Sequence, residues 1–303
     1  MKKVDVTEVL ETLTRRYLGP SAARMAKRIA VYPRYSIQAT RCRIGYQRYG
    51  DRYPYKTLFV AGLPKSGTTW LKKMIASYPG FDEVHIPDVA AYEMAMGRSH
   101  DYDMPGDIFE RFRDMLVITK MHVHGSLHNT ALLKAAGVPY VIIYRDLRDV
   151  AVSHVFYVRN TPWHPEHSLY RGKTVQEGLE IVAAHTLPSF MNWIRLWRQN
   201  RDPELSMELR YEDLLAAPMV AFTRVARHFK LDSSPETIQR IVDTFSFKKM
   251  SHGRERGQEN QQSFVRKGVS GDWVNHFDAR LTRVYARYLD NFLEEVGYAA
   301  TRA

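Results

Sequence analysis

A chain of 303 residues can bury one sizeable core, either as a single α/β domain or as a domain with an appended arm. Its composition, 45% hydrophobic and 25% charged with neither Gly nor Pro in excess, is that of an ordinary globular protein. The net charge of +11 invites an anionic partner, but nucleic acid, an anionic membrane and a phosphorylated nucleotide all satisfy it.

The single cysteine, Cys42, excludes an internal disulfide and fits a reducing compartment. The first residues, Met1-Lys2-Lys3-Val4-Asp5, lack the apolar core of a signal peptide. No stretch approaches the ~18 apolar residues of a membrane span. The expectation is a soluble, cytoplasmic protein without integral membrane association. Residues 1–31 carry two short helical patterns separated by Gly19-Pro20, the second from Ala22 to Ala30. Between Tyr32 and Lys56, tyrosines interleave with arginines and a few turn residues, which reads as a basic arm wrapping the domain. Residues 1–56 are thus expected to pack on or near a core of 57–303 within one domain.

Thr57 to Ala61 is an apolar run ending at a glycine loop, the form of a buried parallel strand. A helix is predicted over Thr69–Tyr78, stopped by Pro79-Gly80. Residues 81–107 read as irregular. Further strands are expected at Met115–Lys120, Pro139–Tyr144 and Leu205–Arg210. Helices are expected at Asn129–Ala136, Leu147–Tyr157, Val175–Asn200 and Ala217–Phe229. Ser251 to Gln262 reads as a mobile loop. Strand and helix alternating at this spacing predict an α/β, three-layer fold: a central parallel sheet covered by helices on both faces, with P-loop, nucleoside-kinase-like topology.

Three motifs carry chemistry. In Gly62-Leu63-Pro64-Lys65-Ser66-Gly67-Thr68-Thr69-Trp70 the glycines keep the spacing of a phosphate-binding loop, but Thr68 stands where an ATPase loop has its lysine. The loop amides and the following helix N-terminus favour an anion, and the displaced Lys65 argues against use as ATP. The second motif is an apolar strand delivering Arg145 at its carboxyl end, with Ser153 two turns further on. Arg with Ser clamps a phosphate, because a guanidinium forks onto two oxygens and the hydroxyl adds a third contact. Asp146 and Asp149 read as caps of that helix. The third motif, Arg266-Lys267-Gly268, can fold charge and backbone around a second phosphate. An extended chain also places Lys120, His122 and His124 on one face. The spacing of His122, His124 and His128 suggests a metal, but no Cys or acidic pair completes a ligand set. His164 and His167 read as loop residues.

Together these motifs resemble the cytosolic-type sulfotransferase family, which uses 3′-phosphoadenosine 5′-phosphosulfate (PAPS). The resemblance runs from Thr57 to Phe277. It implies that Lys65, Ser66, Gly67, Thr68 and Thr69 hold the 5′-phosphosulfate, and that Arg145, Ser153, Arg266, Lys267 and Gly268 hold the 3′-phosphate. It further implies that Trp70 and Phe247 sandwich the adenine, in the second case from the run Ser246-Phe247-Lys248, with Tyr211 at the base edge. The family carries Lys-x-His where this chain has Lys120-Met121-His122. His122 thereby resembles the catalytic base, and Lys120, Lys65 and Ser153 resemble groups that stabilise or position the transferring sulfuryl. The implied reaction moves a sulfuryl group to a hydroxyl or amine of a small molecule and leaves 3′-phosphoadenosine 5′-phosphate (PAP). Neither a metal nor nucleic acid is expected.

The chain departs from the family pattern at Val274, where lysine is usual, and at Phe245, where threonine is expected. Residues 275–280 do not match the family's dimerisation motif, and the oligomeric state is left open. The alternatives are a P-loop kinase or nucleotidase, which would need a lysine at position 68, and a nucleic-acid or membrane-binding module with a degenerate nucleotide site. The acceptor walls are expected in 81–96, 156–170 and 251–264.

Overall fold

Strands that are apolar on both faces can only be central, and that dictates the architecture here. The computed structural model describes residues 20–96, 100–162 and 164–301. Five strands run parallel in the order β2-β3-β1-β4-β5. They are β1 (Thr57–Gly62), β2 (Asp82–Glu83), β3 (Val117–Met121), β4 (Tyr140–Tyr144) and β5 (Ser206–Arg210). Alternate residues of β1 feed two separate cores: Phe59 and Ala61 face one, Leu58 and Val60 the other.

Helices supply both outer layers. On one face lie α5 (Leu147–Arg159), α7 (Val175–His185), α8 (Leu187–Asn200) and α13 (Ala279–Glu295), which contribute Val155, Leu179, Trp193 and Leu289 to the first core. On the other lie α2 (Thr68–Ile75), α9 (Tyr211–Ala216), α10 (Pro218–His228) and α11 (Pro235–Thr244), through Leu71, Leu214, Phe222 and Ile238. Shorter helices are α4 (Leu127–Ala135), α6 (His167–Tyr170) and α12 (Phe247–Met250). The expected three-layer α/β fold is what the chain adopts.

Several boundaries differ from expectation. The first helical pattern, before Gly19, lies outside the described residues. The supposed second pattern and wrapping arm are one helix, α1 (Pro20–Tyr49), which passes through Pro33. Its buried face carries Gln38, Ala39, Cys42 and Gly45 at helical spacing, so tertiary packing overrides a proline that removes a single hydrogen bond. Residues 81–107 hold β2 and a helix, α3 (Pro87–Met96). Pro87 sits at its first position, where a proline's missing N–H costs nothing. The single helix expected over Val175–Asn200 is two, broken at buried Thr186 because Pro188 cannot continue the ladder. Helices α11 and α13 were not anticipated, although α13 buries Leu281, Tyr285, Leu289 and Phe292 at clean 3.6-residue spacing. Residues 251–262 form a strap, in which the Arg254 guanidinium donates to the carbonyls of Gln258 (2.9 Å) and Arg266 (2.7 Å) and to that of Val265.

Helix α1 is fastened to the sheet edge by backbone. The Cys42 carbonyl accepts from the Leu116 amide at 3.1 Å, and a Cβ on Gly45 would occupy the position of the Gly80 carbonyl oxygen. Helix propensity alone says that Gly45→Ala should stabilise by roughly 0.5–1 kcal/mol. A backbone carbonyl cannot rotate away as a side chain can, so the opposite sign is expected here. Urea unfolding of Gly45→Ala should show a loss of about 1–3 kcal/mol. A stabilised variant would mean that α1 is not docked at this contact.

Candidate active site

Because β1 lies between β3 and β4, its carboxyl end opens a crevice where three segments emerge side by side. The register pairs Ala61 with Met121 and Gly62 with Ile143. The glycine loop, His122 and Arg145 are therefore neighbours by construction.

The loop after β1 is held to β4 by the Leu63 amide, which donates to the Ile143 carbonyl at 2.9 Å. Lys65 (φ 65°) and Gly67 (φ 76°) both adopt the left-handed conformation that turns the chain into α2. For a lysine that conformation costs roughly 1–2 kcal/mol, a strain tolerated only where the surroundings enforce it. Gly67 cannot bear a side chain, since a Cβ there would strike the Tyr211 ring. The Lys65 ammonium lies 3.9 Å from the Tyr157 ring centre and 4.5 Å from that of Phe264. Desolvation, then the nearby Arg145, Arg266 and Lys120 charges, push its pKa down to about 7.

Arg145 leaves the end of β4 almost fully buried. Its guanidinium donates to the Asp149 carboxylate (3.0 Å) and the Val269 carbonyl (2.8 Å), and its centre lies 4.4 Å from the Tyr211 ring centre. Asp146 caps α5 as expected, accepting from the Arg148 amide at 2.9 Å. Asp149 does not act as a cap. Its carboxylate accepts from the amides of Gly271 (2.7 Å) and Trp273 (3.0 Å), which ties the Arg266-Lys267-Gly268 loop to the Arg145 helix. Asp272, also buried, takes Arg266 and Lys267, each at 2.5 Å, with Asn275 at 3.0 Å and His276 at 3.2 Å. Burial alone would raise the Asp272 pKa, but these donors outweigh it and hold the group well below the usual carboxylate range.

At the end of β3 the side chains of Lys120 and His122 meet, Nζ to Nε2, at 2.9 Å. His122 Nδ1 lies 2.5 Å from the Gly62 carbonyl oxygen. A carbonyl can only accept, so Nδ1 carries the proton and Nε2 is left basic. Burial and then the Lys120 charge push the His122 pKa well below its ordinary value, which keeps the ring neutral. The following backbone is pinned by Trp193 Nε1, donating to the carbonyls of His122 (2.8 Å) and Val123 (2.9 Å), and by Trp197 Nε1 to Val123 (3.0 Å). The other two histidines of the supposed metal trio turn elsewhere. His124 Nε2 lies 3.2 Å from Asp103, and His128 Nε2 donates to the Met104 carbonyl at 2.8 Å.

These groups line one cavity of about 500 Å³. It gathers Lys65, Gly67, Thr68, Thr69, Trp70, Lys120, His122, Arg145, Ser153, Tyr211, Phe247, Arg266, Lys267 and Gly268. Two expected residues stand back from it: Ser66 lies fully buried within the loop, and Ser246 sits behind Phe247 at the start of α12. Gly268 (φ 68°) packs against the Phe247 face so closely that a Cβ would enter the ring. All three expected acceptor-wall segments contribute, through His85 and Ala90, through Tyr157, His164 and Pro165, and through Arg256 and Phe264. His164 is therefore more than a loop residue. Sequence reasoning also missed His100, and His154 with its buried partner Glu166, 3.0 Å away. Only their place beside the expected walls could have signalled them.

Residues 56–297 match the sulfotransferase domain family. The chain belongs to that family and is an enzyme of the PAPS-dependent sulfotransferase class. Among its relatives is a flavonol 3-sulfotransferase of Flaveria bidentis, 26% identical over 262 residues, covering 79% of this chain and 82% of the relative. Sulfotransferase 1 family member D1 of Rattus norvegicus is 26% identical over 237 residues, covering 73% and 77%. Among solved structures, a mouse sulfotransferase, SULT7A1, complexed with PAP superimposes with a TM-score of 0.63 at 18% identity, covering 80% of this chain and 86% of that one. A retinol dehydratase in complex with androsterone and PAP reaches 0.56 at 18% identity, with 83% and 86% covered. At those identities the structural likeness establishes the fold.

Proposed function

We propose that the protein transfers the sulfuryl group of PAPS, in line, to a hydroxyl or amine of a small molecule, with His122 as general base. The observation that carries this reading is the hydrogen bond from His122 Nδ1 to the Gly62 carbonyl. It joins the base to the very loop that would hold the donor, and it leaves Nε2 unprotonated beside Lys120.

The residues present fit the nucleotide. Trp70 Nε1 and Arg145 Nε, on residues that line the cavity, are buried without a hydrogen-bond partner, a cost of roughly 1–3 kcal/mol each that a polar ligand would relieve. Trp70 and Phe247 offer aromatic faces for a base, with Tyr211 nearby. The loop amides with Thr68 and Thr69 would hold the 5′ group, and Arg145, Ser153, Arg266, Lys267 and Gly268 the 3′-phosphate. PAPS, when bound, supplies a sulfuryl group activated by a phosphate leaving group. Lys65 and Lys120 then neutralise charge on the transferring and leaving oxygens, which is electrostatic stabilisation of the transition state. His122 Nε2 takes the proton that the attacking oxygen loses.

Thermal unfolding tests the ligand. PAP in the presence of chelator is expected to raise Tm, and neither ATP with magnesium nor an oligonucleotide should do so. Stabilisation by ATP with magnesium alone would sink the sulfotransferase reading for this site. His122→Ala should bind PAP like the wild type yet lose roughly 10²–10⁴ in turnover, with an unchanged rate removing His122 from the mechanism.

Lys65 gives a pH-dependent prediction. With its pKa at about 7, the free enzyme at pH 8 holds Lys65 mostly neutral. A bound phosphate raises that pKa, so PAP binding should take up nearly one proton at pH 8 and little below pH 6. Titration calorimetry in buffers of different ionisation enthalpy reads the uptake, and Lys65→Met should abolish it. Binding without proton uptake in the wild type would show that Lys65 does not meet the phosphate.

A further inference from the structure

Helix α1 has two faces, and the fold uses only one. The inner face, with Gln38, Ala39, Cys42 and Gly45, is buried. On the outer face Met25, Ile29, Tyr32, Ile37 and Ile44 are 42–67% exposed. At about 100° per residue these side chains fall within an arc of about 140° opposite the buried ones, and they extend over about 28 Å of helix. Ser36 and Thr40, which lie among them, turn their hydroxyls back onto the helix. Ser36 Oγ donates to the Tyr32 carbonyl at 3.1 Å, and Thr40 Oγ1 to the Ser36 carbonyl at 2.9 Å. Those donors are satisfied without water. The charge of the helix is one-sided as well, since its sequence holds seven Lys or Arg and no Asp or Glu. Arg34, Arg41, Arg43 and Arg48 are all exposed. Of these four only Arg41 comes within 4 Å of a carboxylate, that of Asp82 at 3.8 Å.

We propose that the outer face of α1 docks on an anionic lipid bilayer, with its apolar side chains in the headgroup layer and its arginines against the anionic headgroups. A row of exposed apolar side chains bordered by cations and lying parallel to the surface is the arrangement by which a helix binds in the plane of a membrane. Tyr32 suits that depth, because an amphipathic ring settles at the level of the headgroups. Nucleic acid would take up the arginines but leave Met25, Ile29, Ile37 and Ile44 in water. A second copy of the chain would cover those side chains only by bringing two sets of arginines together. None of the outer-face residues lines the nucleotide cavity, so the docking does not depend on what that cavity binds.

Co-sedimentation of the full chain with lipid vesicles tests the surface. The probes are vesicles of phosphatidylcholine alone and of phosphatidylcholine with phosphatidylserine at about 7:3. The wild type should pellet with the anionic vesicles, at least about tenfold more than with the neutral ones, and should be released as salt rises from about 0.1 M to about 0.5 M. Ile29→Ser/Ile37→Ser should lower the partition coefficient about tenfold, and Arg43→Gln/Arg48→Gln by at least about tenfold. Circular dichroism and Tm show that each variant is folded, and both should match the wild type because the altered side chains are exposed. A wild type that stays in the supernatant, that pellets equally with both vesicles, or whose binding survives in either variant would overturn the proposal. A Tm several degrees lower in Ile29→Ser/Ile37→Ser, or a wild-type dimer that this variant splits, would assign the face to protein, whether residues 1–19 or a second copy, and overturn it too.

Discussion

Crowding of like charge is the constraint that the rest of the site answers to. Lys65, Lys120, Arg145, Arg266 and Lys267 all line one cavity, and together they would repel each other and spread the loops apart. Two buried carboxylates prevent this from behind. Asp149 neutralises Arg145 and at the same time takes the amides of Gly271 and Trp273. Asp272 gathers Arg266 and Lys267. A carboxylate in this position does two jobs, because the hydrogen bonds that balance the charge also fix the closing loop against α5. The cavity face keeps its positive potential while the loops behind it hold together.

Lys65 is handled differently. It lies over the rings of Tyr157 and Phe264, one from α5 and one from the strap of residues 251–264. The ring faces attract the ammonium, whereas burial and the neighbouring Arg145, Arg266 and Lys120 charges favour its neutral form. The strap reaches this position because Arg254 ties it internally and because Asn160 Nδ2 donates to the Gln261 carbonyl at 2.7 Å. The sequence there is almost wholly polar, and one arginine serving several carbonyls ties it together.

Much of the fold was legible because its signals are local. Apolar runs at β1, β3, β4 and β5 announce buried parallel strands, and displaced Lys65, strand-end Arg145 and the Lys120–His122 pair announce the chemistry beside them. What escaped is set by contacts distant in sequence. Asp149 reads as a helix cap until Gly271 and Trp273, more than a hundred residues on, donate to it. Helix α1 is legible only once Ala39, Cys42 and Gly45 are seen as the small face that a sheet edge needs. Pro87 opens a helix within a stretch that reads as irregular, and Pro188 breaks one that reads as continuous, since a proline's effect depends on which turn of a helix it occupies. His100 carries no motif, and only the fold brings it into the cavity wall beside His122.

The Gly62 carbonyl gives His122, the proposed base, a property that side chains could not. An imidazole oriented by a carboxylate side chain can lose that partner to a single mutation. Here the orienting atom is main chain, and no substitution removes it. Position 62 itself is closed to change, since a Cβ would collide with the Thr68 methyl. The walls proposed for the acceptor, by contrast, carry side chains such as Tyr157, His164 and Phe264. Drift among those walls can therefore retarget the enzyme to new acceptors while the tautomer of His122 stays the same, inherited with the backbone of the loop.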